Sequence, residues 1–479
     1  MYEKIIKADL GADVKIIDLR TDTISKPTQE MREAMYVAEL GDDVYGEDPT
    51  VIELERRCAE LLGKEDAVFL VSGTMANLIA IMVHCPIRGS EVISGDKSHT
   101  FRLEQGGASQ IAGIQTVTLK NKEDGTFDLD ELRDKIRKNP DIHEPISSLI
   151  LVENTHNLCG GKVLPLEWLE KVNHIAGEHN IPIHMDGARL MNAATYLKVT
   201  PRRVVRDVDS VCFCLSKGLG CPVGAILCGN SQFIAKARRV RKVLGGGWRQ
   251  AGVLAAAGLV AIDTMIDRLK IDHEHAYEIA KAIHQTRSNL FKVQLSKVQT
   301  NILLMYIDTT KVDIRELQRR LQTVMDSDEV RASVRCSSLK SNCVRFVLYH
   351  EITDEDVTNA IRKIQLIISC DSYFLDYLGG TIADLKSPVA WVDLKEVETN
   401  IIKLYYRHPS RGIAEFSRRL REIEEGDPVK VSLVVSARSG MDYLRLATYW
   451  EITDEDTRLA AMKLVYVIEE FGRNFVSKI

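Results

Sequence analysis

The chain of 479 residues has no apolar run approaching the ~20 residues that a bilayer-spanning helix needs. That excludes an ordinary helical membrane protein. The first ten residues include Glu3 and Asp9 and no long apolar core. A signal peptide is therefore not expected, and the acidic residues argue against a transit peptide. No paired CxxC occurs, and Cys212/Cys214 and Cys336/Cys343 lack zinc-site spacing. No metal is expected. All ten cysteines precede residue 371 among largely apolar neighbours, the pattern of buried thiols in a reducing compartment such as the cytoplasm. Excess charge is also missing. A formal net charge of -5 gives neither nucleic acid nor an anionic membrane an electrostatic handle. What remains is a chain 45% hydrophobic, long enough for two or more globular domains.

Short apolar runs alternate with helical segments. Ala67 to Val71, Glu91 to Ser94, Ser147 to Val152, Ile181 to Met185 and Val211 to Leu215 read as buried strands. Helices are expected between them, for example over Leu129 to Arg137 and Leu166 to His179. This alternation predicts an α/β fold with a mostly parallel sheet covered on both faces. Ligands of such sheets bind beyond the carboxyl ends of the strands. Ser72, His99, Asn154, His156, Asp186, Arg189 and Lys217 all fall there.

Each of these has a bland reading. Ser72-Gly-Thr-Met-Ala-Asn77, before a helix expected from Leu78 to His84, is a plain cap or an anion cradle. Asp186-Gly is a turn, or a buried acid. Lys217-Gly is loop punctuation, or an amine made nucleophilic by desolvation. Together they ask for one ligand. A lysine, an acid 31 residues earlier (217 − 186), a phosphate cradle and a flat ring at His99 match pyridoxal 5'-phosphate. The aldehyde needs the amine, the phosphate the cradle and the pyridine nitrogen the carboxylate.

Several stretches then resemble the L-threonine aldolases, within the fold type I (aspartate-aminotransferase-like) group of pyridoxal-phosphate enzymes. They are Asp18-Leu-Arg-Thr-Asp-Thr23, Gly41-Asp-Asp-Val-Tyr-Gly46, Ser72-Gly-Thr-Met-Ala-Asn77, Glu153-Asn-Thr-His-Asn157, Asp186-Gly-Ala-Arg189, Leu215-Ser-Lys-Gly-Leu-Gly-Cys-Pro-Val-Gly224 and Gly245-Gly-Gly-Trp-Arg-Gln250. The resemblance implies a seven-stranded-type sheet and a homo-oligomer, dimer or tetramer, with shared active sites. It implies cleavage of threonine, allo-threonine and related β-hydroxy amino acids to glycine and an aldehyde. Lys217 would carry the Schiff base, next to Ser216, and Asp186 would meet the pyridine nitrogen. Gly73 and Thr74 would hold the phosphate and His99 would stack on the ring. Arg189 and Arg345, with Thr21, would hold the substrate carboxylate. Tyr45, Lys242 and Arg249 would reach in from a neighbouring subunit. His99 and His156 both remain candidates for the base. Another reaction on this scaffold, such as β-elimination, transamination or racemisation, or a non-catalytic assembly role, is the alternative.

Three units are expected: a large domain over 16–268, a small domain over 269–371 with 1–15, and a second copy of it over 386–479. Val344 to Asp356 and Leu444 to Asp456 share eight of thirteen residues, and Thr300-Asn-Ile302 recurs as Thr399-Asn-Ile401. Thr353 and Thr453 are placed to cap helices with acidic first turns. A linker is expected between Asp371 and Ser387, around Gly379-Gly380 and before Pro388. The Ala-rich helix over Gly252 to Ile266 reads as a packing surface for close helices, with a subunit interface as one place for it.

Overall fold

A computed structural model describes residues 14–310, 312–324, 330–385, 387, 389–392, 401–407, 412–425, 427–433, 435–437, 443–447 and 454–476. The segment 1–13, Pro388, residues 398–400 and Thr453, which carry some of the readings above, lie outside these.

Strand β1 (Lys15–Asp18) opens the described chain. Strands β2 (Asp66–Leu70), β3 (Ser90–Gly95), β4 (Gln115–Leu119), β5 (Ile146–Glu153), β6 (Ile183–Asp186), β7 (Ser210–Cys214) and β8 (Ala225–Gly229) form one seven-stranded sheet. Its order is β2-β8-β7-β6-β5-β3-β4. Only β8 runs antiparallel to its neighbours β2 and β7. The central strands carry residues buried along their length, as an inner sheet covered on both faces requires. Phe69, Ile150, Val211 and Phe213 anchor its core. Two strands of this sheet escape the sequence reading. Edge strand β4, Gln-Thr-Val-Thr-Leu, has only its last residue fully buried, and β8 follows a glycine-rich loop.

Helix Gly252–Thr264 lies inside this unit against helices Gln29–Val37 and Pro49–Leu62. Its small residues serve close packing within the chain: a Cβ on Gly258 would stand 2.9 Å from Leu54. Asp48 fixes the junction by capping helix Pro49–Leu62 and accepting from Gly252 N at 2.8 Å.

The small domain is an antiparallel sheet. Strands β9 (Phe291–Lys292), β10 (Ile302–Ile307), β12 (Ser337–Lys340) and β13 (Cys343–Val347) take the order β12-β13-β10-β9. Beside it, β1 pairs in parallel with β11 (Ala332–Arg335). Ile17 and Leu19 accordingly sit in the small-domain core, so the segment placed at the start of the large domain belongs to the small one.

Helix Asp354–Asp384 runs straight through the expected linker, Gly379-Gly380 included. Beyond it, β14 (Ala390–Val392), β15 (Ile401–Tyr406), β16 (Ser436–Ala437) and β17 (Tyr443–Ala447) form a second antiparallel sheet, order β14-β15-β17-β16. This is the first sheet's order repeated. Leu304 pairs with Arg345 in one, and Lys403 with Arg445 in the other. Two buried lysines repeat as well: Lys363 Nζ donates to Thr323 O and Lys463 Nζ to Glu422 O, both at 2.7 Å. Each copy has its own apolar core, the second built on Phe416, Leu444, Leu464 and Phe471. Among the described residues no helix is long and apolar enough to cross a membrane.

Candidate active site

Five strand ends of the large sheet converge. β6 ends at Asp186, which is 1% exposed. Asn77 Nδ2 donates to its Oδ2 at 3.0 Å, and the Ala188 amide to its Oδ1 at 3.1 Å. Among the described residues neither Lys nor Arg pairs with this carboxylate, so a buried anion is left to neutral donors. Burying it without a counter-charge is costly.

β7 leads into Ser216 and Lys217, both half-buried. The Lys217 carbonyl accepts from Ser25 Oγ and from the Gly220 amide, each at 2.9 Å. Gly220 makes that turn with φ +77°, where a side chain would also press on His350. The Lys217 ammonium acts electrostatically on Asp22 and Cys214.

β2 ends before Ser72, whose Oγ caps helix Gly73–His84 by accepting from Met75 N at 3.2 Å. The helix begins at Gly73, earlier than Leu78. The cradle is therefore the first turn itself, whose amides at Gly73 and Thr74 have no helical acceptor. A Cβ on Gly73 would stand 2.8 Å from Cys214 Sγ, so the backbone approaches β7 closely.

β3 leads to His99, which opens a short helix, His99–Arg102. Glu153, at the end of β5, accepts from the His99 amide at 2.6 Å and the Asn157 amide at 2.8 Å. The His99 Nδ1 lies 2.9 Å from Glu104 Oε1. Burial would lower the His99 pKa, but the Glu104 bond and the nearby Asp186 and Glu153 charges leave it raised.

The arginines are arranged differently from a simple pair of substrate forks. Arg189 is buried and its Nε and Nη2 donate to Asp22, each at 2.7 Å. Arg345 Nη1 donates to Asn157 Oδ1 at 2.7 Å and Nη2 to the Arg20 carbonyl at 3.3 Å, while its buried Nε has no partner among the described residues. Burial and then the neighbouring Arg189 push its guanidinium down to about 10. A desolvated cation beside a second cation favours an incoming anion. Thr21 Oγ1 accepts from Thr23 N at 3.3 Å, capping the turn that holds Asp22.

His156 is 1% exposed, and neither ring nitrogen has a hydrogen-bond partner among the described residues. It lines a cavity of about 10 Å³ with Ser98, Asn121 and Trp168. Nδ1 stands 3.9 Å from Glu153 Oε1. Tyr45 and Lys242 line a different cavity, about 450 Å³, which holds none of the residues around Lys217. Arg249 is exposed, 3.5 Å from Asp42. Within one chain these three do not join the group.

Asp22, Asn77, Glu104, Glu153 and Asn157 were missed as working residues. Asp22, Asn77, Glu153 and Asn157 all lie inside the quoted motifs, which was the available signal. Glu104 had none. The repeated Thr-Asn-Ile also has a task in its first copy. Thr300 Oγ1 donates to the Gly161 carbonyl at 2.8 Å and Asn301 Nδ2 to Asp22 at 3.3 Å, which docks the small domain onto the site.

A family model described as β-eliminating lyase matches residues 18–310. The chain is 44% identical over 354 residues to a low-specificity L-threonine aldolase of Arabidopsis thaliana, covering 74% of this chain and 96% of that one. It is 44% identical over 277 residues to a low specificity L-threonine aldolase of Escherichia coli K12, covering 58% and 82%. The chain belongs to the threonine aldolase family of β-eliminating lyases. The threonine aldolase structure from Leishmania major superimposes with a TM-score of 0.62 at 19% identity, over 74% of this chain and 99% of that one. The likeness of fold therefore outlasts most of the sequence. As a family member the chain is a lyase built on the α/β sheet described above, with a further small-domain sheet beyond it.

Proposed function

We propose that the chain cleaves threonine, allo-threonine and related β-hydroxy amino acids to glycine and an aldehyde, using pyridoxal phosphate. The observation that carries this reading is the pairing of strand ends. Asp186 and Lys217 leave adjacent parallel strands, β6 and β7, and Asp186 is a buried carboxylate with which, among the described residues, no lysine or arginine pairs. A protonated pyridine nitrogen is the counter-charge it lacks. The residues present fit the cofactor in other respects: free first-turn amides at Gly73 and Thr74, a glycine where a Cβ would collide, and the His99 ring beside Asp186. The cofactor, when bound, supplies an aldehyde for an amine and a ring that takes up the electrons released at the substrate Cα.

The chain's own residues do the rest. Lys217 presents the amine and yields its place to the substrate amino group. Arg345, with its vacant Nε, binds the substrate carboxylate beside Arg189. Asp22 holds Arg189 still, and Thr21 holds the turn that carries Asp22. Fixing the carboxylate fixes rotation at Cα, and so which of its bonds is set to break. The β-hydroxyl proton passes to a histidine, His99 or His156, as the Cα–Cβ bond opens. Of the two, His99 keeps part of its ring accessible.

A homo-oligomer with shared sites is part of this reading. Tyr36, Val37, Tyr45 and Val243 are between 75% and 91% exposed, an unusual load of apolar surface, and Tyr45 also lines the cavity it shares with Lys242. A second subunit covering it would bring Tyr45, Lys242 and Arg249 to a site. The nine cysteines whose side chains are described are all buried free thiols, in keeping with a reducing, cytoplasmic setting. We keep three units, with the second boundary moved to the end of helix Asp354–Asp384 and β1 given to the small domain. Product analysis tests the reaction. Threonine should give glycine and acetaldehyde in equal amounts, whereas 2-oxobutanoate and ammonia would show elimination instead.

A further inference from the structure

Behind His99 lies a buried network that the proposed reaction does not use. Asn77 Nδ2 donates to Glu104 Oε1 at 2.9 Å and to Asp186 Oδ2 at 3.0 Å. One amide nitrogen therefore serves two carboxylates. The two carboxylates fix which way round that amide sits, and its Oδ1 then faces His184 Nε2 at 3.1 Å. An amide oxygen only accepts, so the proton is on His184 Nε2. His184 Nδ1 must then accept from Ser210 Oγ at 2.8 Å, and Ser210 Oγ accepts from His84 Nε2 at 2.8 Å. Burial keeps both rings neutral, with His84 lowered to about 4 and His184 to about 3. Each link thus has one polarity, ending on Glu104 and Asp186. Turning the Asn77 amide over would set its oxygen against two carboxylates.

Glu104 is the point where this chain meets His99. Its side chain is 4% exposed, and its Oε1 takes both Asn77 and His99 Nδ1. His99 Nε2 has no protein partner among the described residues. The charged groups facing the ring are Glu104 on its own segment, Glu153 at the end of β5 and Asp186 at the end of β6. All three are acidic.

We propose that Glu104 is a positioning residue that holds the His99 proton on Nδ1, leaves Nε2 as the titrating nitrogen, and ties His99 to Asp186 through Asn77. The proposal rests on the cofactor site above and names the device that sets its stacking ring. A carboxylate on one ring nitrogen selects the tautomer and makes the other nitrogen more basic.

Nitrogen-15 NMR of histidine-labelled chain tests it, with and without pyridoxal phosphate, the His99 signals being assigned by their loss in His99→Gln. In the unsubstituted protein the neutral ring should be the Nδ1–H form. Glu104→Gln should lower the His99 midpoint by about one pH unit, a tenfold loss of proton affinity. It should also lower kcat about tenfold or more with KM for threonine little changed. An Nε2–H ring in the unsubstituted protein overturns the proposal, and that measurement needs no variant to fold. An unchanged midpoint in folded Glu104→Gln overturns it too. Failure of the cofactor reading looks different: the tautomer would be as stated but no cofactor would bind.

Discussion

Asp22 and Arg189, 167 positions apart, form a two-bond clamp in which both side chains are buried. It joins the segment after β1 to the turn after β6, and Asn301 of the small domain bonds the same carboxylate. Burial alone would raise the Asp22 pKa, yet Arg189 and then Lys217 hold it below the usual carboxylate range. A depressed carboxyl contributes stability above its unfolded value, ~3.9, and loses it as pH falls through the folded value. Asp22→Asn should therefore cost ~3 kcal/mol or more at pH 7, by stranding a buried cation. Its stability should also fall less steeply than the unsubstituted protein's below about pH 4. Urea unfolding at pH 7 and pH 3 measures both, and parallel acid limbs would contradict the clamp.

Arg345 meets Asn157 and the Arg20 carbonyl, and among the described residues its Nε has no partner. Arg345→Lys keeps the charge and loses the planar fork. The loss of charged hydrogen bonds should cost ~1.5–3 kcal/mol, roughly 10- to 100-fold in kcat/KM. Most of it should appear in KM for threonine. Steady-state kinetics separate the two constants, and an unchanged KM would remove Arg345 from carboxylate binding.

Gly73 stands where a Cβ would come within 2.8 Å of Cys214 Sγ. Gly73→Ala must shift the first helical turn from β7. Cofactor affinity should drop at least about tenfold, since the cradle amides move, while the melting temperature changes by only a few degrees. Titration with pyridoxal phosphate gives the affinity. Undiminished binding would move the phosphate elsewhere.

Much of this site is legible before any coordinates are seen, for a local reason. Asp186 and Lys217 follow directly on apolar runs, so strand and strand-end residue are read together. Asn77 is hidden inside a helix that begins five residues earlier than its apolar run suggests. Glu104 sits in a segment with no periodic pattern at all. The Asp22–Arg189 clamp is a contact between distant segments, which no window of sequence displays. β4 escaped because an edge strand alternates polar residues, and the expected linker failed because two glycines are tolerated within a 31-residue helix. Arg189 was read as a substrate fork, yet the fold gives its Nε–Nη2 edge to Asp22.

The second small-domain sheet has its own apolar core, and no residue of the proposed site comes from it. Removing residues 386–479 should leave kcat/KM within about twofold and lower the melting temperature, because helices Asp354–Asp384 and Asp454–Val476 pack together. Kinetics and light scattering on the shortened chain check this. A lost activity or a changed oligomer would give the copy a regulatory or assembly role.

Lys217 is the residue on which everything else depends. The most direct measurement is the visible absorption of the purified chain with pyridoxal phosphate, before and after Lys217→Ala. The unsubstituted chain should show the band of lysine-linked cofactor, and the variant should lack it while keeping its fold. No band in the unsubstituted chain, or the same band in the variant, would contradict the cofactor site at the ends of β6 and β7.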